Sequence, residues 1–417
     1  LATAYGFCIL LSYYILRPVR DEISSADRGN LQILWTAVFI VMLIAVPIYS
    51  SIVSRYSRGV FIPLANRFFA LSLLTFYAGL LLLPETARPW IDRVFYVWAS
   101  VFALFVVTVF WGFIADLFRN RQGRRLFGFI AVGSSLGGIV GSLITASTSE
   151  ILPAFSLLLL AIVPLEGAAL FAKALHRSSG DEHTPLRKES TELIAGDSFS
   201  GIRTVFQSPY LLKIAGYLAL MTFASTVLYF QQAELIRDAF VDRAARTAFY
   251  AKIDLAVNVL TILTQGLLAA HVIRKIGVAL SLAFLPALTL LGFLSLGVYP
   301  LLAVLVGFQV LYRTGRYGIT RPAREVLFTV VSREERYKSK AFIDAAVYRG
   351  GDLVSGWIYT GLAALGLSLG AIALVAVPVA GLWAGVGFLV GRQQEELLTA
   401  ADSDEAATIE AMPDGAS

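Results

Sequence analysis

The stretch LQILWTAVFIVMLIAVPIYSSIVS, residues 31–54, carries no charged side chain. A hydrocarbon core about 30 Å thick is crossed by about 20 apolar residues in helical form, so this stretch is long enough to span a bilayer. Only helices and closed barrels satisfy their own backbone groups in lipid, and an unbroken apolar run of this length does not fit the short alternating strands of a barrel. Similar runs predict spans at 1–20, 60–83, 90–117, 125–147 and 151–174, then at 209–237, 248–272, 277–297, 299–318, 340–364 and 368–391. The whole chain agrees: of 417 residues 57% are hydrophobic and 15% charged, with a mean hydropathy of +0.72, where a soluble domain carries about 25% charged residues.

The spans fall into six, a polar segment, and six more. This predicts an N-terminal six-helix bundle over 1–175, a cytosolic linker over 176–208, a C-terminal six-helix bundle over 209–391 and a disordered cytosolic tail over 392–417. The linker holds Ser178-Ser179-Gly180-Asp181-Glu182 and Arg187-Lys188-Glu189, and the tail is acidic and rich in small residues, compositions that bury too little to fold alone. The halves echo one another. Tyr13-Tyr14 through Arg20-Asp21 resembles Tyr229-Phe230 through Arg237-Asp238, and Arg125, Phe129 and Gly137-Gly138 match Lys338, Phe342 and Gly350-Gly351 at one constant offset. Parallel repeats of this kind occur in transporters. The expected fold is an all-α membrane protein of about twelve transmembrane helices in two six-helix bundles, major-facilitator-like.

The net charge of +5 reports topology rather than nucleic acid. Lys and Arg concentrate in the loops after even-numbered spans, led by Arg119, Arg121, Arg124 and Arg125 and by the 313–340 stretch, so by the positive-inside rule both termini are expected in the cytosol. Cys8 is the sole cysteine, which excludes an intrachain disulfide. The chain opens at Leu1 already inside an apolar run, from which further residues upstream and no cleavable signal peptide are expected.

Polar residues inside spans direct attention to function, because a charge near the centre of a membrane helix costs about 2.5–3.5 kcal/mol on insertion scales. Asp254, Asn258, Thr261 and Gln265 are spaced to share one helical face, as are Gln309, Arg313 and Arg316. Tyr13, Arg17 and Arg20 end the first span, Ser225, Tyr229 and Gln232 line one face of the seventh, and Arg349 and Asp352 stand three apart in the eleventh. Facing one cavity, these groups suit an anionic, ring-bearing solute, since a guanidinium fork matches phosphate or carboxylate and Tyr can stack on a ring. Plainer readings exist for each. Arg349 and Asp352 can neutralise each other, Arg17, Arg20 and Asp21 can snorkel to an interface, and Arg313 and Arg316 can be positive-inside anchors. The polar face of the eighth span can serve helix packing, as can Gly133, Gly137, Gly138 and Gly141. No phosphate-binding loop is present, and His176, His183 and His271 are too far apart for a metal motif. No enzyme, cofactor or metal is therefore expected.

Three strings carry a family resemblance: SYYILRPVRDE (Ser12 to Glu22), FWGFIADLF (Phe110 to Phe118) and YKSKAFIDAAVYRGGD (Tyr337 to Asp352). Each is similar to a segment of the ATP:ADP antiporter family, the nucleotide transporters of plastids and intracellular bacteria, and together they sit at matching places along nearly the whole chain. The resemblance implies a major-facilitator-like fold with exchange or proton-coupled uptake of nucleotides. It places the family's basic residue of the first span on Arg20, followed by Asp21, and its acidic residue after the fourth span on Asp116. Two positions depart: Tyr229 to Gln231 hold no acid where the family has one, and the family's lysine in the eleventh span falls near Gly351 or Asp352, with Arg349 the nearest base.

The expected function is a secondary active transporter moving a nucleotide or similar organic anion, such as ATP or ADP, by alternating access. Its place is a bacterial inner membrane, as a monomer in the lipid bilayer with no nucleic-acid partner. Tyr13, Arg17, Arg20, Tyr229, Gln232, Asn258, Arg313, Arg316, Tyr348 and Arg349 are the expected substrate-binding residues, and Asp21, Asp116, Asp254 and Asp352 the gating or proton-coupling ones. The alternative is a proton-coupled exporter of amphipathic compounds or lipids on the same fold, which would show a large apolar cavity with one titratable carboxylate in place of converging arginines.

Overall fold

The computed structural model describes residues 1–55, 58–117, 121–153, 155–178 and 200–410, and these contain helices and turns but no strand. In chain order the α-helices are α1 (Ala2–Ala26), α2 (Leu31–Arg55), α3 (Arg58–Leu82), α4 (Arg88–Leu117), α5 (Arg121–Thr148), α6 (Ser156–Ser178) and α7 (Ser200–Gln207). They continue with α8 (Pro209–Ala239), α9 (Arg243–Leu263), α10 (Ala269–Val298), α11 (Leu302–Gly315), α12 (Arg321–Val326), α13 (Arg333–Phe342), α14 (Tyr348–Ala364) and α15 (Leu369–Glu410).

Ten helices among the described residues are long and apolar enough to cross a membrane. The expected spans at 299–318 and 340–364 are not among them. Arg313 and Arg316 in one, and Lys340, Asp344, Arg349 and Asp352 in the other, make them less apolar, and each holds a π-helical turn, at Arg316–Thr320 between α11 and α12 and at Ile343–Val347 between α13 and α14. With these two the number is twelve. A third π-turn, Thr264–Leu268, joins α9 to α10. Helix extends further than hydropathy predicts at several ends. α1 runs to Ala26, α9 starts at Arg243, α7 forms within 176–208, and α15 passes Gly391 to reach Glu410. At 1.5 Å per residue α15 is about 60 Å long, twice the hydrocarbon thickness.

The chain forms two compact units. The first comprises Leu1–Thr184 with Tyr229–Ile262, the second Pro185–Leu228 with Leu263–Ser417. In the first, α1 packs on α5, α6 and α4, and α3 packs on α6. The α1–α5 contact depends on glycine. A Cβ on Gly133, Gly137 or Gly141 would strike the backbone of Thr3, Phe7 or Leu11 respectively, so the glycines expected to serve close packing do so, four residues apart on one stripe.

In the second unit α10 lies along α15. Gly277, with φ of 79°, breaks α10, and the Glu395 carboxylate of α15 accepts from the amides of Val278 (2.7 Å) and Ala279 (3.3 Å), capping the helix that restarts there. A capping box of Ser332 and Glu335 starts α13. Lys340 of α13 pairs with Glu325 of α12, while Arg324 pairs with Asp344 (3.4 Å). Partial burial acts against the Glu325 charge, but the Lys340 ammonium and Arg324 outweigh it and hold its carboxyl below the usual 4.5.

Two outcomes are expected. Gly137→Val forces α1 and α5 apart and lowers stability by about 1–3 kcal/mol, read as the thermal midpoint in detergent, whereas Gly112→Ala, which meets nothing within 4 Å, leaves it unchanged. Because the Glu325 value is depressed on folding, its contribution is complete above pH 4.5 and is lost as pH falls below that. The parent should therefore lose thermal stability on acidification through a component that Glu325→Gln lacks.

Candidate functional site

Each unit builds a charged site of its own. In the first unit the site lies where α1 ends, where α3 leads to α4, and where α8 leads to α9. Glu22 is fully buried and sits between two guanidinium groups, Arg243 at 2.8 Å and Arg246 at 2.6 Å. Arg243 also donates to both oxygens of Asp92 (2.8 and 2.9 Å), and Arg246 to the carbonyls of Phe240 and Val241. One turn earlier, Arg17 bridges Asp21 (3.5 Å) and Asp254 (3.3 Å), and Arg20 pairs with Asp21 at 2.6 Å. A chain of hydroxyls completes the network: Tyr229 donates to Asp21 (3.1 Å), shares a bond with Tyr96 (3.3 Å), and Trp35 donates to Tyr96 (2.9 Å). Arg93 with Asp27 and Arg28 with Asp238 close its rim.

Bidentate and shared pairing of this kind is what makes buried charge tolerable. Arg17, Arg20, Arg243 and Arg246 are met by Asp21, Asp254, Glu22 and Asp92, so this site is neutral. Of the residues expected here, Arg17, Arg20, Asp21, Tyr229 and Asp254 come together. Tyr13 packs edge-on against Tyr14, Asn258 donates to Ser142 (3.2 Å), and Gln232 is buried in α8. The side chain of Asp116 lies outside the described residues. Sequence reading missed Glu22, Asp92, Tyr96, Arg243 and Arg246. Starting the eighth span at 248 left both arginines in a loop, and the available signal was that Glu22, one residue past Asp21 on a helix running to Ala26, needs a cation of its own.

The second unit's site is built on two π-turns. Arg316 opens the Arg316–Thr320 turn and Tyr348 follows the Ile343–Val347 turn. The Arg316 guanidinium donates to the Tyr348 hydroxyl and lies 5.5 Å from the Tyr348 ring and 5.8 Å from that of Tyr317. Arg349 also lies 5.8 Å from the Tyr348 ring and 3.9 Å from Asp352. Arg313 is buried one turn before Arg316. Among the described residues no carboxylate lies within ion-pair distance of Arg316, while Arg349 has Asp352. A π-turn widens the helix by one residue and is common at functional sites. Here two of them bring a guanidinium and a phenol from different helices into contact.

Twelve membrane helices carrying buried arginine sites define a polytopic membrane transporter of the major-facilitator fold. Solved structures share the fold across the whole length: a D-xylose–proton symporter (TM-score 0.65, 13% identity, 94% of this chain and 95% of that one) and the POT family transporter PepTSo (TM-score 0.64, 14% identity, 95% and 97%). Residues 70–386 match the TLC ATP/ADP transporter family, and the chain belongs to that family. Relatives named ADP,ATP carrier protein 1 come from Chlamydia trachomatis, 22% identical over 88% of this chain and 82% of that protein, and from Chlamydia pneumoniae, 22% identical over 88% and 84%. The protein is thus a multi-pass secondary transporter and not an enzyme, as its resemblance to the ATP:ADP antiporters implied.

Removing one partner from a buried ion pair costs about 3–5 kcal/mol. Arg246→Ala should lower the denaturation midpoint in detergent by a loss of that order, and adding Glu22→Gln to it should recover part, because the stranded carboxylate is then neutral. A double variant no more stable than Arg246→Ala alone would show that Glu22 is not held by charge.

Proposed function

We propose that this carrier moves a nucleotide or a similar multiply charged organic anion, with its phosphates on Arg316, Arg313 and Arg349 and its ring or sugar against Tyr348 and Tyr317. The observation that carries this reading is Arg316: a guanidinium oriented by a tyrosine hydroxyl, flanked by two rings, and with no carboxylate in ion-pair range among the described residues. A charge held that way needs an anion from outside the protein. Asp352 is then the resident counter-ion of Arg349, released when substrate phosphate replaces it. The neutral network around Asp21, Glu22 and Asp254 acts as a gate, made and broken as access alternates, with Arg17, Arg20 and Tyr229 as parts of the gate rather than substrate ligands.

Three arginines gathered in one site favour an anion over an amphipathic exporter cargo. The names of the chlamydial relatives support ATP and ADP as the first solutes to test. The distribution of Lys and Arg supports an inner-membrane orientation with both termini cytosolic, and we take the working form to be a single chain.

The decisive experiment is uptake of radiolabelled ATP into proteoliposomes with and without internal ADP. The parent should show saturable uptake that rises with internal nucleotide. Loss of a charge-assisted contact worth about 1.5–3 kcal/mol corresponds to about a 10- to 100-fold rise in half-saturation for Arg316→Ala, with a smaller effect for Arg349→Ala. Parent-like uptake by Arg316→Ala would overturn the assignment.

A further inference from the structure

Arg67 and Glu166 form an ion pair on the outside of the first unit, where α3 packs on α6. Arg67 is the tenth of the 25 residues of α3 and Glu166 the eleventh of the 23 of α6, so both stand near the middle of a membrane span. Their side chains are 54% and 42% exposed. The same outer face carries Val60, Leu64, Phe68 and Leu71 of α3 and Val163 and Leu170 of α6, all apolar and each more than half exposed. Such a composition belongs to a surface that meets lipid, and a charge there is costly unless a partner answers it.

Within the chain the answer is partial. Among the described residues the pair makes one contact, from Arg67 Nε to Glu166 Oε2 at 3.4 Å, whereas a guanidinium has five N–H donors and a carboxylate two oxygens. At 1.5 Å per residue Arg67 lies about 13 Å along α3 from its first residue, and Glu166 about 18 Å from the last residue of α6. Both are thus close to the midplane of a hydrocarbon core about 30 Å thick, away from lipid headgroups. A second copy of the same face fits. Two copies inserted the same way round are related by a two-fold axis along the membrane normal, which preserves depth and exchanges left with right. Because Arg67 and Glu166 come from neighbouring helices and stand side by side, that axis sets each opposite its counterpart of unlike charge in the other copy, the reciprocal pattern of an isologous interface. Polar contacts of this kind hold helices together in lipid, where apolar contact alone gives little, because lipid tails are as apolar as leucine.

We propose that the outer face of α3 and α6 is a self-complementary interface through which two copies of this chain associate in the membrane, joined by reciprocal Arg67–Glu166 pairs. Each copy keeps both of its charged sites whole, so the single chain remains the working unit, and the inference is independent of which solute is carried.

The test uses the full chain, labelled in separate batches with donor or acceptor dye, mixed in liposomes and followed by energy transfer as lipid is added. The parent should show transfer that falls on dilution with lipid. Arg67→Glu alone and Glu166→Arg alone each place like charges across the axis, and should need a protein-to-lipid ratio about 10-fold higher for the same transfer. Donor-labelled Arg67→Glu mixed with acceptor-labelled Glu166→Arg should associate like the parent, because each then meets the opposite charge on the other copy. A pair that served only its own chain would be repaired by putting both changes in one chain and not by mixing. If either single variant gives no monodisperse protein by gel filtration, the apolar double variant Arg67→Leu/Glu166→Leu takes its place and should weaken association to a similar extent. A parent that shows no transfer at any ratio, variants that associate as the parent does, or charge-reversed variants that fail to recover on mixing overturn the interface.

Discussion

A guanidinium away from water must have a counter-charge, and the two units meet that constraint in opposite ways. In the first unit Glu22, Asp21, Asp254 and Asp92 answer the arginines one for one, so the charges there balance. In the second, Arg316 is answered by a phenol and two rings, partners that orient a cation without cancelling it. The same residue type thus stands in two settings, paired to carboxylates in one unit and to a phenol and rings in the other.

The π-turns shape the surroundings of Arg316. A regular helix fixes the angle between successive side chains, so two helices can bring only certain residues face to face. One extra residue in a turn relaxes that restriction locally, and the site has such a turn on each side: one carrying Arg316, the other ending at Tyr348. Pro322, close after the first turn, has no amide to give the Gly318 carbonyl, which regular helical bonding would require.

Hydropathy made the membrane helices legible, because twenty uncharged residues have few alternatives in a bilayer. Length was less so. Helix ends outside lipid are set by charge pairing and caps, which is why Arg243 and Arg246 were placed in a loop when Glu22 draws them into α9. The face formed by Asp254, Asn258, Thr261 and Gln265 assumed an unbroken 3.6-residue period. The π-turn at Thr264–Leu268 takes Gln265 out of that period; Asp254 pairs with Arg17, and Gln265 donates to the Tyr317 carbonyl. Arg316, Tyr348 and Arg349 were recognisable as polar residues in apolar spans, yet which arginine would lack a carboxylate was beyond sequence, since counter-charges are chosen in three dimensions. The close-packing glycines of α5 were readable because their spacing alone makes a stripe.

The cap that Glu395 places on Val278 and Ala279 joins residues 117 and 116 positions apart. During synthesis the helix beginning at Val278 leaves the ribosome long before its cap does. Its first amides therefore stay open while α11 to α14 are made, and they close only when α15 arrives. The end of the chain acts as a completion signal for a helix near its middle, and a ribosome that stops short of Glu395 releases a carrier with that helix still uncapped.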